Sequence, residues 1–201
     1  MKDYESWVVA GHDLEFINET HTYLVDGIIT PSITQCLKMR FKNKYAGIDS
    51  QTLKRASNLG TETHEAIERW CKEGTESDLP ELRNFKFLKK QYKFKVLENE
   101  IPVILSVDDE PILAGRLDLV LDIDGKTCLA DIKRTSALDK EYLACQLNLY
   151  RFAYQQSYGV EIEGLKGIHL RDEVRKFVDI PINEDLAWEL IDEYMKGERH
   201  V

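Results

Sequence analysis

Two aspartates and a lysine lie near the middle of the sequence, on either side of a predicted hairpin turn. Asp124-Gly125 is a residue pair that tolerates the positive φ values of a two-residue type I′ loop, so we expect a strand on each side of it. With these two residues in the loop, Asp118 lies directly opposite Asp131, and Lys133 projects from the same face. Two carboxylates in opposite positions have Cβ atoms about 4.5–5.5 Å apart and destabilise the sheet.

The repulsion between two such carboxylates can be offset by a shared proton, by a cationic neighbour or by a bound divalent metal. Carboxylate pairs suit hard, oxygen-seeking ions such as Mg²⁺ or Mn²⁺. An ammonium group beside them could polarise a water that attacks a phosphodiester and stabilise charge on phosphorus. The Asp131-x-Lys133 tripeptide does not decide this by itself, because Asp124-Gly125-Lys126 also matches it. A surface hairpin with scattered charges is the alternative.

The apolar residues around the turn favour the proposed register. They all fall on one face, and a slip of one residue would turn the whole set outward. The predicted pairs on this face are Leu121 with Cys128, Leu119 with Ala130, and Leu117 with Ile132.

Two predicted helices carry polar residues where packing would favour apolar ones. On a helix from about 52 to 72, His64 shares a face with Gly60 and Ile67. On a helix from about 139 to 157, Gln146 lies within an apolar stripe that includes Tyr150. A buried glutamine is costly without a hydrogen bond, whereas a lone core histidine is more often structural than a ligand. Together with the aspartate pair, these residues indicate a single polar site.

The predicted elements have the order αβββαβ along the centre of the chain, which indicates an α/β (α+β) fold. No linker or repeat interrupts the sequence, so we expect a single domain over 1–201, in which an N-terminal hairpin and helix (1–50) pack on the core. Thr30 is the predicted N-cap of that helix, with Pro31 at its first position. The other predicted ranges are strands at 14–17, 22–29, 101–107, 112–123, 126–133, 164–170 and 174–180, and helices at 81–98 and 183–196.

The composition is that of a soluble globular protein with an acidic balance. The net charge of −9 over 201 residues counts against a non-specific nucleic-acid binder, because the overall field repels phosphate. One helical stripe of lysines is either a solvated face or a DNA-binding surface. Its members are Lys86, Lys89, Lys90 and Lys93.

The cysteines and the hydropathy of the sequence exclude further classes of protein. Four scattered cysteines without a Cys-x-x-Cys pair indicate neither a zinc knuckle nor a disulfide framework, and we expect buried free thiols. No apolar run approaches the length of a membrane span, and the N-terminus lacks the pattern of a secretory signal. We therefore expect a cytoplasmic protein without a membrane partner.

Four ordered motifs resemble those of the RecB-like branch of the PD-(D/E)XK nuclease superfamily. They are Gly60-x-x-x-His64, Gly115-x-x-Asp118, Asp131-Ile132-Lys133 and Gln146-x-x-x-Tyr150. The segment from His21, followed by Thr30-Pro-Ser-Ile-Thr34, is similar to the front of phage-encoded members, so the resemblance runs from about 14 to 150. It implies a restriction-endonuclease-like core with a central mixed sheet flanked by helices.

The resemblance also implies roles for individual residues and hydrolysis of DNA phosphodiester bonds with Mg²⁺ or Mn²⁺. It does not imply an iron–sulfur cluster, because no cysteine follows Cys145, whereas the relatives with a cluster carry cysteines near the C-terminus. The implied metal ligands are His64, Asp118, Asp131 and the carbonyl of Ile132; Lys133 orients the attacking water; and Gln146 and Tyr150 support the site and the DNA strand.

The expected function is that of a metal-dependent exonuclease acting on linear DNA with ends. Phage-type recombination or DNA processing in a bacterial host, with a phage or prophage origin and a possible recombination protein as partner, is the expected setting. The alternatives are a non-catalytic DNA- or protein-binding module on the same fold and a structure-specific endonuclease.

Overall fold

The computed structural model describes residues 4–198, and this range forms two sheets and five helices. The N-terminal sheet has four antiparallel strands, and the central sheet has five. In chain order the elements are β1 (Tyr4–Val9), β2 (His12–Ile17), β3 (Thr22–Val25), β4 (Ile28–Thr30), α1 (Ile33–Arg40), α2 (Ser50–Glu73), α3 (Pro80–Tyr92), β5 (Lys95–Val107), β6 (Glu110–Ile123), β7 (Lys126–Lys133), α4 (Lys140–Tyr158), β8 (Gly164–Arg171), β9 (Val174–Ile180) and α5 (Glu184–Glu198).

The central sheet is mixed, in the order β5-β6-β7-β8-β9, with helices on both faces. Its only parallel pair in the described range is β7 with β8, and α4 makes the crossover that such a pair requires. The predicted αβββαβ order is confirmed as α3-β5-β6-β7-α4-β8. Apolar residues of α1, α4 and α5 pack on one face of the sheet, and those of α2 and α3 pack on the other.

The N-terminal region differs from the predicted hairpin and helix. Asp26 and Gly27 both have positive φ, 51° and 78°, and they turn the chain between β3 and β4 where one continuous strand was predicted. The strand β1 was not predicted. The N-cap of α1 is Ser32, so the assignment of Thr30 and Pro31 was wrong: the Ser32 hydroxyl accepts from the Gln35 amide while the Gln35 side chain accepts from the Ser32 amide. This capping box satisfies two free amides at once.

The third helix is shorter than predicted. It ends at Tyr92 because Lys93 adopts a left-handed backbone conformation, with φ of 53°, and the next residue, Phe94, is buried. The chain then continues as β5, so residues 95–98 are in a strand and not in a helix. Lys93 thus lies beyond the helix that was predicted to carry the lysine stripe.

The hairpin between β6 and β7 follows the predicted register over part of its length. Asp124 and Gly125 form the loop with φ of 52° and 82°, and the pairs from Ile123↔Lys126 to Leu119↔Ala130 are confirmed. The ladder ends there. The predicted pair of Asp118 and Asp131 is not part of the ladder, and Asp118 Oδ2 instead accepts the Ile132 amide hydrogen at 2.6 Å.

The sequence expectations for the ends of two helices and for the cysteines are confirmed. The caps of the two long helices are as predicted, since Gly74 and Gly159 end α2 and α4 in the left-handed conformation. All four cysteines are free thiols; Cys71 is half-buried and the other three are buried. No helix within residues 4–198 is long and apolar enough to cross a membrane.

Gly167 provides a test of the packing between the central sheet and α4. A Cβ at Gly167 would lie 2.5 Å from Leu143 Cδ2 and 2.9 Å from Val178 Cγ2. Gly167→Ala is therefore expected to lower the free energy of unfolding by about 1–3 kcal/mol, measured by urea denaturation. Gly60→Ala is the matched control, because its Cβ would have no neighbour within 4 Å and alanine favours a helix over glycine by up to about 1 kcal/mol. Equal stability of Gly167→Ala and the wild type would contradict this packing.

Candidate metal centre

A distortion in β5 lies at the centre of the candidate site. Glu100 has a left-handed backbone, with φ of 51°, and of the described non-glycine residues with positive φ it is the one that lies inside a strand. Such a conformation costs about 1–3 kcal/mol and is found more often at functional sites. Asn99 pairs with Leu119 and Ile101 pairs with Leu117, so Glu100 lies beside Asp118.

The distortion reverses the faces of both strands. Asn99 Nδ2 donates to the Glu68 carbonyl of α2, whereas Ile101 packs in the core beneath α4. On β6, Leu119 belongs to the core beneath α2 and α3, and Leu117 belongs to the core beneath α4. The prediction that Leu117 and Leu119 share a face was therefore wrong. In a regular strand two such residues would lie on one side.

One imidazole and two carboxylates converge at this distortion. His64 Nδ1 is 3.6 Å from Asp118 Oδ1 and 3.7 Å from Glu100 Oε1. Potential ligand atoms of these three residues all lie within 4.8 Å of one another, and within residues 4–198 this is the one group of its kind. Their side chains are 13–29% exposed, so the group is mostly buried.

The second ring nitrogen of His64 is held by the backbone. Nε2 lies 3.1 Å from the carbonyl oxygen of Ile132, and since a carbonyl can only accept, Nε2 carries the hydrogen. This leaves Nδ1 facing the carboxylates. A metal-binding histidine generally donates its other ring hydrogen in this way, which fixes the orientation of the ring. The predicted role of the Ile132 carbonyl as a ligand stays a prediction, and in the structure its contact is with His64.

Asp131 and Lys133 form an ion pair next to this group. Asp131 is only 2% exposed, and its Oδ2 lies 2.5 Å from Lys133 Nζ. The angles of this contact are not those of a hydrogen bond, so Asp131 Oδ2 has no hydrogen-bond partner within residues 4–198. Asp131 is not one of the three residues with mutually close ligand atoms. The structure thus brings Asp131 to the site but directs it towards Lys133.

The pKa shifts report the electrostatic balance of the cluster. Burial lowers the pKa of His64, but the charges of Asp118, Glu100 and Asp131 together raise it to about 9. Burial raises the pKa of Asp131 to about 6, against the opposing charge of Lys133. Burial and the charge of Glu100 also raise the pKa of Asp118. Three carboxylates in a poorly solvated space are thus held together by cations.

Glu100 is a site residue that the sequence did not reveal, and it is anchored from the N-terminal sheet. Arg116 Nε lies 2.8 Å from Glu100 Oε2, and Arg116 Nη1 donates to Glu5 Oε1 of β1 at 2.9 Å. The guanidinium also lies 5.4 Å from the ring centroid of Phe16 on β2. Two strands of the N-terminal sheet therefore fix the orientation of Glu100.

Gln146 and Tyr150 lie on α4 and are both buried, as predicted. Within residues 4–198, Gln146 Oε1 has no hydrogen-bond partner. Burial raises the pKa of Tyr150 well above its usual value, with further contributions from Tyr23 and from the charge of Asp118. Gly115 leaves room for it, because a Cβ there would be 3.0 Å from Tyr150 Cε1.

The lysine stripe is not part of the candidate metal centre. Lys86 pairs with Glu76 at 2.7 Å, and Lys93 forms the end of α3. Within the described range, no ion pair or hydrogen bond joins Lys86, Lys89, Lys90 or Lys93 to the cluster around His64. Its proposed contact with DNA stays a prediction.

Comparison with known proteins gives a likeness to solved structures. No protein-family model and no curated protein sequence matches the chain. The chain is similar to the crystal structure of SSO0001, with 16% identity and a TM-score of 0.49 over 83% of this chain and 75% of that one.

Metal titration tests the two carboxylates that face His64. Asp118→Asn and Glu100→Gln each remove a negatively charged ligand, so each is expected to reduce the affinity for Mn²⁺ by at least about tenfold, measured by isothermal titration calorimetry. Glu110→Gln, an exposed change at the start of β6, is the control. Unchanged Mn²⁺ affinity of Glu100→Gln would remove Glu100 from the ligand set, and the same result for Asp118→Asn would remove Asp118.

Proposed function

We propose that the protein is a divalent-metal-dependent DNA nuclease built on a restriction-endonuclease-like core. The observation that carries the proposal is the convergence of His64, Glu100 and Asp118 beside the Asp131–Lys133 ion pair. The mixed central sheet, with helices on both faces, is of the kind that the four sequence motifs imply. Linear DNA with ends is the proposed substrate, and phage-type recombination or DNA processing is the proposed setting.

The donor set fits a divalent cation with a preference for oxygen ligands. His64 Nδ1, Glu100 Oε1 and Asp118 Oδ1 would hold it, and three protein ligands leave positions open for water and a phosphate oxygen. Two carboxylates suit Mg²⁺ and Mn²⁺, and the imidazole nitrogen favours Mn²⁺ over Mg²⁺, which prefers oxygen. When bound, such an ion lowers the pKa of a water and polarises the phosphoryl group.

Lys133 supplies a fixed positive charge at the same place. Burial lowers the pKa of Lys133, but the charges of Asp131 and Asp118 raise it by a larger amount. The pKa therefore lies above its usual value, and the side chain stays an ammonium. Its ammonium lies 2.5 Å from Asp131 Oδ2 and carries three hydrogens, which can be donated to a water or to a phosphate oxygen. The role of Lys133 is therefore to orient the water and to stabilise charge on phosphorus, not to act as a base.

Asp131 and the Ile132 backbone position the other groups. Asp131 fixes the Lys133 ammonium, and its charge contributes to the raised pKa of His64. The Ile132 amide donates to Asp118 at 2.6 Å, while the Ile132 carbonyl accepts from His64 at 3.1 Å. One peptide segment thus holds two of the three proposed ligands in place.

The proposed activity is tested with end-labelled single-stranded and double-stranded linear DNA and with closed circles. In Mn²⁺ or Mg²⁺, release of label from the linear substrates with intact circles is the expected result for an exonuclease. Cutting of the circles would instead indicate an endonuclease. The absence of cleavage in every substrate and with either ion would contradict the proposal and favour a binding module.

Lys133→Met tests the role of the ammonium. The change keeps an unbranched side chain but removes the charge, and loss of one preorganised group of this kind costs about 10²–10³-fold in rate. We expect a fall of that size in single-turnover cleavage, with little change in Mn²⁺ affinity, because Lys133 is assigned to water and phosphate. Lys126→Met, an exposed change on the same strand, is the control. Wild-type cleavage by Lys133→Met would contradict the assignment.

A further inference from the structure

A cleft with a volume of about 700 Å³ opens beside Lys133. It lies between the N-terminal half of α2, the chain between α1 and α2, and the loop that follows β7. Of the five residues of the candidate centre (His64, Glu100, Asp118, Asp131 and Lys133), Lys133 is the one that also lines this cleft. A substrate whose phosphate contacts Lys133 would therefore extend its adjoining part into the cleft.

We propose that this cleft binds the unpaired nucleotides next to the scissile phosphate, so that the substrate is a single strand or a frayed DNA end. The inference rests on the proposed function and names the form of DNA that reaches the candidate centre. Tyr45 provides a stacking surface for a base, and Arg55 contacts a backbone phosphate.

The charge of the cleft is opposite to that of the whole protein. The chain has a net charge of −9, yet the cleft is lined by five cationic side chains and only two acidic ones. Four of the five cations are paired: Lys44 with Asp139, Lys133 with Asp131, Arg134 with Glu81 and Arg171 with Asp172. Arg55 is exposed and makes no ion pair within residues 4–198. An unpaired arginine in a locally positive cleft of an acidic protein suits a polyanionic strand.

The cleft also offers the apolar and aromatic surface that single strands require. Tyr45 is 54% exposed and Ile48 is 45% exposed, and both line the cleft. Tyr142 lines it as well, although the Lys44 ammonium covers its ring at 3.4 Å from the centroid. Proteins that bind single strands combine a positive groove with aromatic rings on which bases stack. Tyr45 is the exposed ring that meets this requirement here.

The face of α2 that lines the cleft leads towards His64. Thr52, Arg55, Ala56 and Leu59 recur at helical spacing on that face. Gly60 follows, and a Cβ there would have no heavy atom within 4 Å, so the space above it is open. His64 is one turn further along the helix. A strand lying along this face would thus pass from the cleft over Gly60 to the cluster.

The opposite wall of the cleft is held in place by buried contacts. The ring of His169, which is only 2% exposed, lies with Nε2 2.7 Å from the Thr135 carbonyl oxygen. Arg134 is fixed by Glu81, which is 1% exposed. Phe41 contacts Tyr142 edge to face at 5.1 Å and so attaches the segment before α2 to α4. A cleft with fixed walls loses little entropy when it binds a ligand.

The size of the cleft suits a single strand. Its volume lies in the range of small-molecule sites, about 300–1,000 Å³. That range suits a few nucleotides of one strand, which can be enclosed more fully than a duplex. A paired end would have to open before its nucleotides could enter.

The test measures the binding of a short fluorescein-labelled oligothymidylate by fluorescence anisotropy. EDTA is present throughout, because it removes divalent metal and so prevents metal-dependent turnover. Tyr45→Ala is expected to weaken binding about five- to hundredfold, the range for loss of one base–aromatic stack. Arg55→Ala is expected to weaken binding and to lower the slope of log affinity against log salt by about 0.7. Lys54→Ala, an exposed change on the same helix outside the cleft, is the control and should bind like the wild type.

A blunt duplex of the same length serves as competitor and should displace the labelled strand only weakly. Equal competition by duplex and single strand, or unchanged binding by both Tyr45→Ala and Arg55→Ala, would overturn the inference. Oligothymidylate binding that depends on Tyr45 and Arg55, without cleavage of any DNA in Mn²⁺, would support the cleft and contradict the nuclease. Cleavage of blunt and single-stranded ends at equal rates, unaffected by Tyr45→Ala, would support the nuclease and overturn the cleft.

Discussion

His64 faces two carboxylates at 3.6 and 3.7 Å, and a third, on Asp131, adds its charge to theirs. Acids brought this close in a poorly solvated space repel one another unless positive charge lies among them. The protein meets this requirement with the imidazole and with the Lys133 ammonium, both of which have raised pKa values. A divalent cation between His64, Glu100 and Asp118 would satisfy the same requirement with a single charge centre.

Both sheets contribute to this balance. Glu100 adopts a costly backbone conformation inside β5, and Arg116 holds its side chain through a contact at 2.8 Å. Arg116 is held in turn by Glu5 and by the ring of Phe16, which belong to the N-terminal sheet. That sheet therefore has a role beyond packing on the core. It supplies the second layer of contacts that fixes one of the three converging side chains.

Sequence reasoning located the hairpin and four of the residues that lie together, His64, Asp118, Asp131 and Lys133, but not their geometry. Asp124-Gly125 set a register that is correct as far as Leu119↔Ala130, because turn chemistry and apolar alternation are local signals. Beyond that pair the ladder ends and the Asp118 side chain accepts the Ile132 amide hydrogen, and no local sequence pattern predicts such a side-chain contact.

Glu100 was missed for a related reason. It stands between a predicted helix and a predicted strand in a charged stretch, and a left-handed residue inside a strand has no sequence signature unless it is glycine. The N-terminal turn at Asp26-Gly27, which does have such a signature, could have been predicted.

The distribution of charge relates the cluster around His64 to the cleft beside Lys133. An acidic protein repels nucleic acid over most of its surface, so a strand is attracted only where cations outnumber acids locally. The lysines of α3 are the obvious candidates in the sequence, yet Lys86 is already paired with Glu76 and none of the stripe lines the cleft. Lys133 lies in both the cleft and the cluster. The position of Lys133, and not the number of lysines along a helix, therefore indicates where a phosphate would be bound.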